Sequence, residues 1–437
     1  MHSASLTSRT SKMNLTICFL VALVFMVFLS PQFGILGRGL RTALPAFVAV
    51  IGLAVFFQYA SFILALRRAA PVVFLAGIFM VQAAARFWIS NDTRVEAWIQ
   101  QYLLSPILSL ALVYLVFQIG EIGDSAIQLV QKIVLIGWGV SLSLGIPSLF
   151  SNYGIARYAM GIDSEDLVKT GELHLQGVGN FGYYTSFAIL LPILISVVLG
   201  WRSIKLRLLG WVGLLGASIS VLLSTLTMAS VLLLVGGSLT LSLLQRGWIR
   251  LFWVLATISF LLVGSAAYES AANKSEQIDF VYQKSVRLFT DMSNEGLSGD
   301  ETGRGDMIKG SIFALKQGNW LYGYIEKDSE PTVNGHSSMI DSLVLFGVPG
   351  TLLWFALLIV IARKGLTVDN LNKGMNGAVM TSWLLFFISG LMNPTWYMNS
   401  IIGPLLLFTF SIENRAIHDN PPNKRNKTRQ NASSIWE

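Results

Sequence analysis

Residues 179–200 read GNFGYYTSFAILLPILISVVLG, twenty-two positions without one charged side chain. An α-helix rises about 1.5 Å per residue, so roughly 20 apolar residues cross the hydrocarbon core of a bilayer. This run is therefore long enough to span, and similar runs recur along the chain. Working outward from it, candidate spans fall at 14–31, 43–66, 70–89, 98–118, 126–146, 179–200, 206–222, 225–244, 249–268, 338–361, 376–393 and 397–413. Each is nearly free of charge away from its ends. That matters because a charge at mid-bilayer costs about 2.5–3.5 kcal/mol on insertion scales. The expected fold is an all-α polytopic membrane protein of about 12 transmembrane helices, with a large extracytoplasmic loop that carries short helices.

Composition points the same way. Of 437 residues, 53% are hydrophobic and only 13% charged, and mean hydropathy is +0.61. A soluble domain carries about a quarter charged residues, so this chain has too few ionic groups to coat a water-facing globule. The net charge of +7 does not indicate nucleic acid, because the basic residues cluster between apolar runs. Lipid headgroups and membrane orientation account for them. A single cysteine, Cys18, rules out an internal disulfide framework and a cysteine-based metal site. The first apolar run resembles a signal sequence, but Pro31-Gln32-Phe33-Gly34 offers no small-residue cleavage site, so it is read as a retained first span.

Orientation follows from the short loops. With the N-terminus in the cytoplasm, Arg67-Arg68, Arg202, Lys205, Arg207, Arg246, Arg250, Arg363, Lys364, Lys373 and the tail Lys424, Arg425, Lys427 and Arg429 all fall inside. The short outer loops keep Arg38, Arg41 and Arg94, which read as headgroup anchors before phosphate contacts. Both ends are thus expected in the cytoplasm. Residues 1–13 form a cytoplasmic N-terminus, 14–413 the transmembrane domain and 414–437 a disordered basic cytoplasmic tail.

Two long segments, 147–178 and 269–337, fall outside, and loops of that length are uncommon unless functional or disordered. In the second, Ile278, Val281, Tyr282, Ser285, Phe289 and Met292 recur at helical spacing, which suits an interfacial helix. Beyond a Gly/Ser/Asp-rich break at 296–305, Ile308, Ile312 and Leu315 mark a second short helix ending at Gly318. Chemistry-bearing residues gather in these loops. The second holds Thr302-Gly303-Arg304-Gly305-Asp306, Trp320-Leu321-Tyr322-Gly323-Tyr324 and Asn334-Gly335-His336-Ser337-Ser338. The first holds Arg157, His174 and the glycine-rich Gln176-Gly177-Val178-Gly179-Asn180-Phe181-Gly182. His174 reads as a loop residue. Asp163-Ser164-Glu165-Asp166 has the look of an acidic metal motif, yet a solvated charge run describes it better.

In that order these pieces resemble the bacterial O-antigen polymerase and O-antigen ligase superfamily (Wzy-type and WaaL-type), over roughly residues 150–360. The ordered set is Arg157, Gly179-Asn180-Phe181-Gly182, Ser224-Thr225-Leu226-Thr227-Met228-Ala229-Ser230, Thr302-Gly303-Arg304, the aromatic-glycine segment 320–324, His336, and Phe346-Gly347-Val348-Pro349-Gly350. Two positions depart from it. Met228-Ala229 stands where members often carry an arginine, and Ser337 where they often carry asparagine after the histidine. The resemblance implies a glycan donor linked to undecaprenyl diphosphate, handled at the periplasmic face of the bacterial inner membrane.

On that chemistry, Arg157 and Arg304 are the candidates to neutralise the diphosphate leaving group, because a guanidinium grips phosphate oxygens with two N–H groups at once. For Arg157 a headgroup anchor beside Tyr153 and Tyr158 remains the alternative, and for Arg304 a loop cap with Asp306. His336 is the candidate base for the acceptor hydroxyl, with a pKa suited to physiological pH. No cofactor or metal is expected, since two arginines on a lipid diphosphate require no divalent ion. Asp341 lies five residues, or about 140°, from His336 on an ideal helix, so it is not expected to orient the imidazole. Pro349, between Gly347 and Gly350, is expected to kink its span, either shaping a groove or serving packing.

The expected activity is polymerisation: transfer of a growing glycan from undecaprenyl diphosphate to the next lipid-linked repeat unit. The alternatives are an O-antigen ligase acting on lipid A–core and a lipid-linked oligosaccharide flippase. Implied partners are the lipid-linked donor and acceptor, the bilayer and a chain-length regulator, with no nucleic acid.

Overall fold

The computed structural model describes residues 2–36, 38–56, 62–63, 66–67, 69–89, 93–151, 155–158, 164–224, 226–244, 312–313, 315–316, 320–323, 337–366, 373–393, 395–396, 401–405 and 407–408. About 90% of the described residues are helical, and there is no strand among them. The helices are α1 (His2–Leu29), α2 (Arg38–Ile51), α3 (Ala70–Ile89), α4 (Thr93–Ile122) and α5 (Asp124–Ser143). Three short ones follow, α6 (Ile146–Ser151), α7 (Ile155–Tyr158) and α8 (Ser164–Leu175). Then come α9 (Phe181–Leu199), α10 (Ile204–Leu223), α11 (Thr227–Leu244), α12 (Ser338–Leu366) and α13 (Lys373–Met392). A 3₁₀ turn, Pro31–Ile35, joins α1 to α2.

Among the described residues, six helical stretches are long and apolar enough to cross a membrane: Ala70–Ile89, Tyr102–Gly120, Ser125–Ser151, Phe181–Leu199, Ile204–Leu223 and Ser338–Ala362. Shorter apolar helices cover Asn14–Leu29, Ala43–Ala54, Met228–Leu241 and Gly377–Leu391. The chain is thus an all-α protein with the helices of a multi-pass membrane protein. The expected span at 249–268 and the helix at 278–292 lie outside the described residues, as does the tail. Residues 2–13, expected as a separate terminal segment, continue α1 as helix. The segment 147–178, expected as a loop, carries α6, α7 and α8. Glu165 and Asp166, read from sequence as part of a charge run, have their backbone in the first turn of α8.

The run 179–200 lies at the centre of the bundle. Asn180 caps α9, its Oδ1 accepting from the Gly182 amide at 3.0 Å, and every residue from Tyr183 to Val198 is buried. A helix apolar on all sides is one surrounded by others, and α9 packs against α10, α11 and α13. Burial separates centre from rim: 89% of the α9 window is covered, against 28% for α3 and 33% for α10. Those two present apolar side chains such as Phe74, Val81, Leu208 and Leu215 outward. Where α5 meets α10 the backbones touch, and a Cβ on Gly139 would lie 2.8 Å from Gly213 Cα. Small residues at such crossings are how membrane helices approach closely.

Helix α12 breaks at Gly347, whose φ of 67° and ψ of −173° are not helical. The expected kink is therefore present, two residues ahead of the proline that was expected to cause it. The Val348 amide does not close a helical ring; it donates to the Trp320 carbonyl at 2.8 Å. The segment Trp320–Gly323 thus completes the broken helix from outside, in the way non-helical backbone in a membrane protein finds protein partners. Around the break, Phe79 of α3, Tyr102 of α4, and Phe346 and Trp354 of α12 form a buried aromatic cluster with ring centroids 4.9 to 5.7 Å apart.

Candidate functional site at one end of the bundle

Helix α4 leaves one end of the bundle at Thr93, turns at Gly123 (φ 127°) and α5 returns to that end. Two clusters of polar side chains lie there.

The first joins the α1–α2 connection to α8 and the start of α9. Arg41 donates through Nε to the Leu36 carbonyl at 2.9 Å, through NH2 to the Gly34 carbonyl, and through NH1 to the Tyr183 hydroxyl at 3.2 Å. Read from sequence as a headgroup anchor, Arg41 instead ties a loop to a helix. His174, read as a loop residue, is 6% exposed on the last turn of α8. Its Nδ1 lies 2.9 Å from the Val178 carbonyl. A carbonyl only accepts, so Nδ1 carries the proton in this tautomer. The other edge of the ring packs on Gly34, where a Cβ would come within 3.0 Å of Nε2. Burial pushes the imidazole pKa below its ordinary 6.5; the Val178 bond opposes this and nearby Arg41 adds to it. Gln32 donates to the Ser141 carbonyl at 3.1 Å, locking the same turn to the end of α5. The glycine-rich run 176–182 serves this packing too. A Cβ on Gly177 would lie 2.7 Å from the Gly145 amide nitrogen, and the Gly179 amide donates to the Tyr184 hydroxyl at 3.0 Å.

The second cluster holds the start of α12. Ser337 Oγ donates to the Leu391 carbonyl at 2.7 Å and accepts from the Ile340 amide at 3.3 Å, capping the helix. Ser338 Oγ donates to the Asn393 carbonyl at 3.0 Å and accepts from the Trp396 amide at 3.0 Å. Tyr102 Oη donates to the Ser338 carbonyl at 3.2 Å. Asp341, one turn in, is 2% exposed. Beside this cluster a cavity of about 520 Å³ opens between α3 and α12. Gln82, Arg86, Phe346 and Pro349 line its wall, and Leu321 and Tyr322 of the docked segment cover it. Arg86 is 5% exposed, and its Nε donates to the Leu345 carbonyl at 2.7 Å. Gln82 Nε2 donates to the Phe346 carbonyl at 3.1 Å, one turn earlier on α3. The bend near Pro349 borders this cavity, and the glycines beside it pack closely, Gly347 on Trp320 and Leu321 and Gly350 on Gln82.

Of the residues singled out by sequence, Arg304 and His336 lie outside the described residues. Arg157 has its backbone on α7, next to buried Ala156, and its side chain is not among those described. What sequence reading missed is Arg86. Its signal was available: it is the one charged residue of the 70–89 span, four positions after Gln82 and so on the same helix face. An ionisable residue inside a membrane helix marks a functional site by default. Among the described residues no group of three or more His, Cys, Asp or Glu side chains could hold a metal ion. No protein-family model matches the chain, and no curated protein matches it either.

Proposed function

We propose that this chain is a membrane glycosyltransferase of the O-antigen polymerase type, moving a growing glycan from a polyprenyl diphosphate to the next lipid-linked repeat unit at the periplasmic face of the bacterial inner membrane. The observation that carries this reading is the anchorage of the residue following His336. Ser337 and Ser338 are held by α13, Tyr102 and Trp396 at the same end of an apolar bundle as α7, the helix of Arg157. A base that must meet an acceptor hydroxyl needs a fixed position within hydrogen-bond reach, and the anchored Ser337 is its neighbour in the chain. Arginine then suits the departing diphosphate, as electrostatic stabilisation of developing charge is the largest single contribution in many enzymes.

The test is the glycan profile of a strain lacking the gene, complemented with wild type or His336→Ala. Loss of a polymerase leaves lipid A–core capped with one repeat, and His336→Ala at normal protein level fails to restore polymer. Bare core with polymer accumulating on the carrier lipid would make the chain a ligase instead. Full polymer from His336→Ala would remove the imidazole from the mechanism.

A further inference from the structure

We infer that the cavity between α3 and α12 binds the diphosphate end of an isoprenoid lipid, with Arg86 as its anion-binding residue; the choice of an isoprenoid diphosphate rests on the function proposed above. Three features of the molecule carry this. Arg86 places a permanently charged fork on the wall of a cavity within a membrane-spanning helix. Besides Arg86, the described lining offers two polar side chains, Gln82 and Tyr322, while Ala85, Ile89, Leu321, Phe346 and Pro349 are apolar, so a free polar anion would meet mostly unfavourable surface. The volume of about 520 Å³ falls among small-ligand sites of roughly 300–1,000 Å³, enough for a headgroup and the first part of a chain.

Beyond these three, the surface of α3 offers a path for a longer tail. Ile89, 54% exposed, stands at the cavity rim. From it an exposed stripe runs back along α3 through Ala85, Val81, Ile78 and Phe74. Steps of three and four residues keep these on one face. The stripe is continuous with the cavity, and α3 is the least covered of the six spans. An amphiphile with an anionic head and a long apolar tail matches both ends of this track: the head beside Arg86, the tail along the stripe within the bilayer. Tyr322, 63% exposed, closes the cavity from the side of the docked segment, and a small group beyond the diphosphate would pass beside it.

The experiment uses the purified full-length protein in detergent with farnesyl diphosphate as probe, read by native mass spectrometry, against Arg86→Gln, Arg86→Lys and Ala85→Trp. Saturable binding is expected. Arg86→Gln weakens it about tenfold or more, as expected for loss of a charged hydrogen-bonding partner, and Arg86→Lys weakens it less. Ala85→Trp narrows the cavity while keeping the arginine and is expected to weaken binding about tenfold or more, which keeps the test valid if Arg86→Gln misfolds. Binding unchanged in both Arg86→Gln and Ala85→Trp overturns the inference. So does displacement by equimolar phosphatidylglycerol, which would mark a general headgroup site, or by equimolar inorganic pyrophosphate, which would show that the tail contributes nothing. The two proposals fail separately. Arg86-dependent binding in a chain whose deletion leaves surface glycan unchanged sustains the site and removes the polymerase, and the converse pair of results does the opposite.

Discussion

Replacing Gly347 with alanine tests how α12 and the Trp320–Gly323 segment depend on each other. At φ 67° and ψ −173° the residue occupies a region reserved almost entirely for glycine. A Cβ there would also lie 2.6 Å from the Trp320 carbonyl oxygen and 2.7 Å from the Leu321 carbonyl carbon. The backbone conformation costs an alanine about 1–3 kcal/mol. Moving the segment away loses the Val348–Trp320 hydrogen bond, worth about 1 kcal/mol. The expected destabilisation is therefore about 2–4 kcal/mol. Gly323, at φ 82°, is the reciprocal contact, since a Cβ on it would meet the backbone of Val344 and Leu345, 2.9 Å from the Leu345 carbonyl carbon. Either substitution undocks the same segment, so the double variant should lose less than the sum of the singles. The assay is reversible unfolding of the purified protein in mixed micelles, run as a double-mutant cycle. A Gly347→Ala variant within about 0.5 kcal/mol of wild type, or strict additivity with Gly323→Ala, would refute the reasoning.

Two further outcomes follow from the clusters at that end of the bundle. His174 has its pKa depressed by burial, so its neutral form is the one the fold favours; its contribution to stability is fully present above about pH 6.5 and is lost as pH falls through the lowered folded value. Thermal midpoints measured from pH 8 to pH 5 should fall more steeply for wild type than for His174→Gln, and parallel curves would show that His174 is not the titrating group. Ser338→Ala removes one donor to the Asn393 carbonyl and one acceptor for the Trp396 amide. It should destabilise by about 1–2 kcal/mol, the range of membrane-protein hydrogen bonds. Wild-type unfolding would show that the start of α12 is held by other contacts.

The membrane helices were legible because they depend on local quantities. Burial in lipid requires a run of apolar residues of a set length, and Phe181–Leu199 or Ala70–Ile89 satisfies that condition without reference to any other part of the chain. A kink in α12 was legible from Pro349, a local signal, whereas its position at Gly347, against the Trp320 backbone, was not. The helices of 147–178 were not foreseen, because α6 to α8 are short and gain order by packing, α8 on the 31–35 turn and α6 on α10.

The candidate site divides along the same line. By itself the sequence determined a chain rich in apolar spans, with a set of arginines, histidines and glycines between them. Only the tertiary structure decided which of these meet. It turned Arg41 inward onto Tyr183 and Gly34, placed Trp320 on Val348 across a gap of 28 residues, and brought Arg86 to the wall of a cavity shared with Phe346 and Pro349. Hydropathy is a property of each segment. Contacts between distant segments depend on how helix surfaces fit together, and a single sequence carries no local mark of that fit.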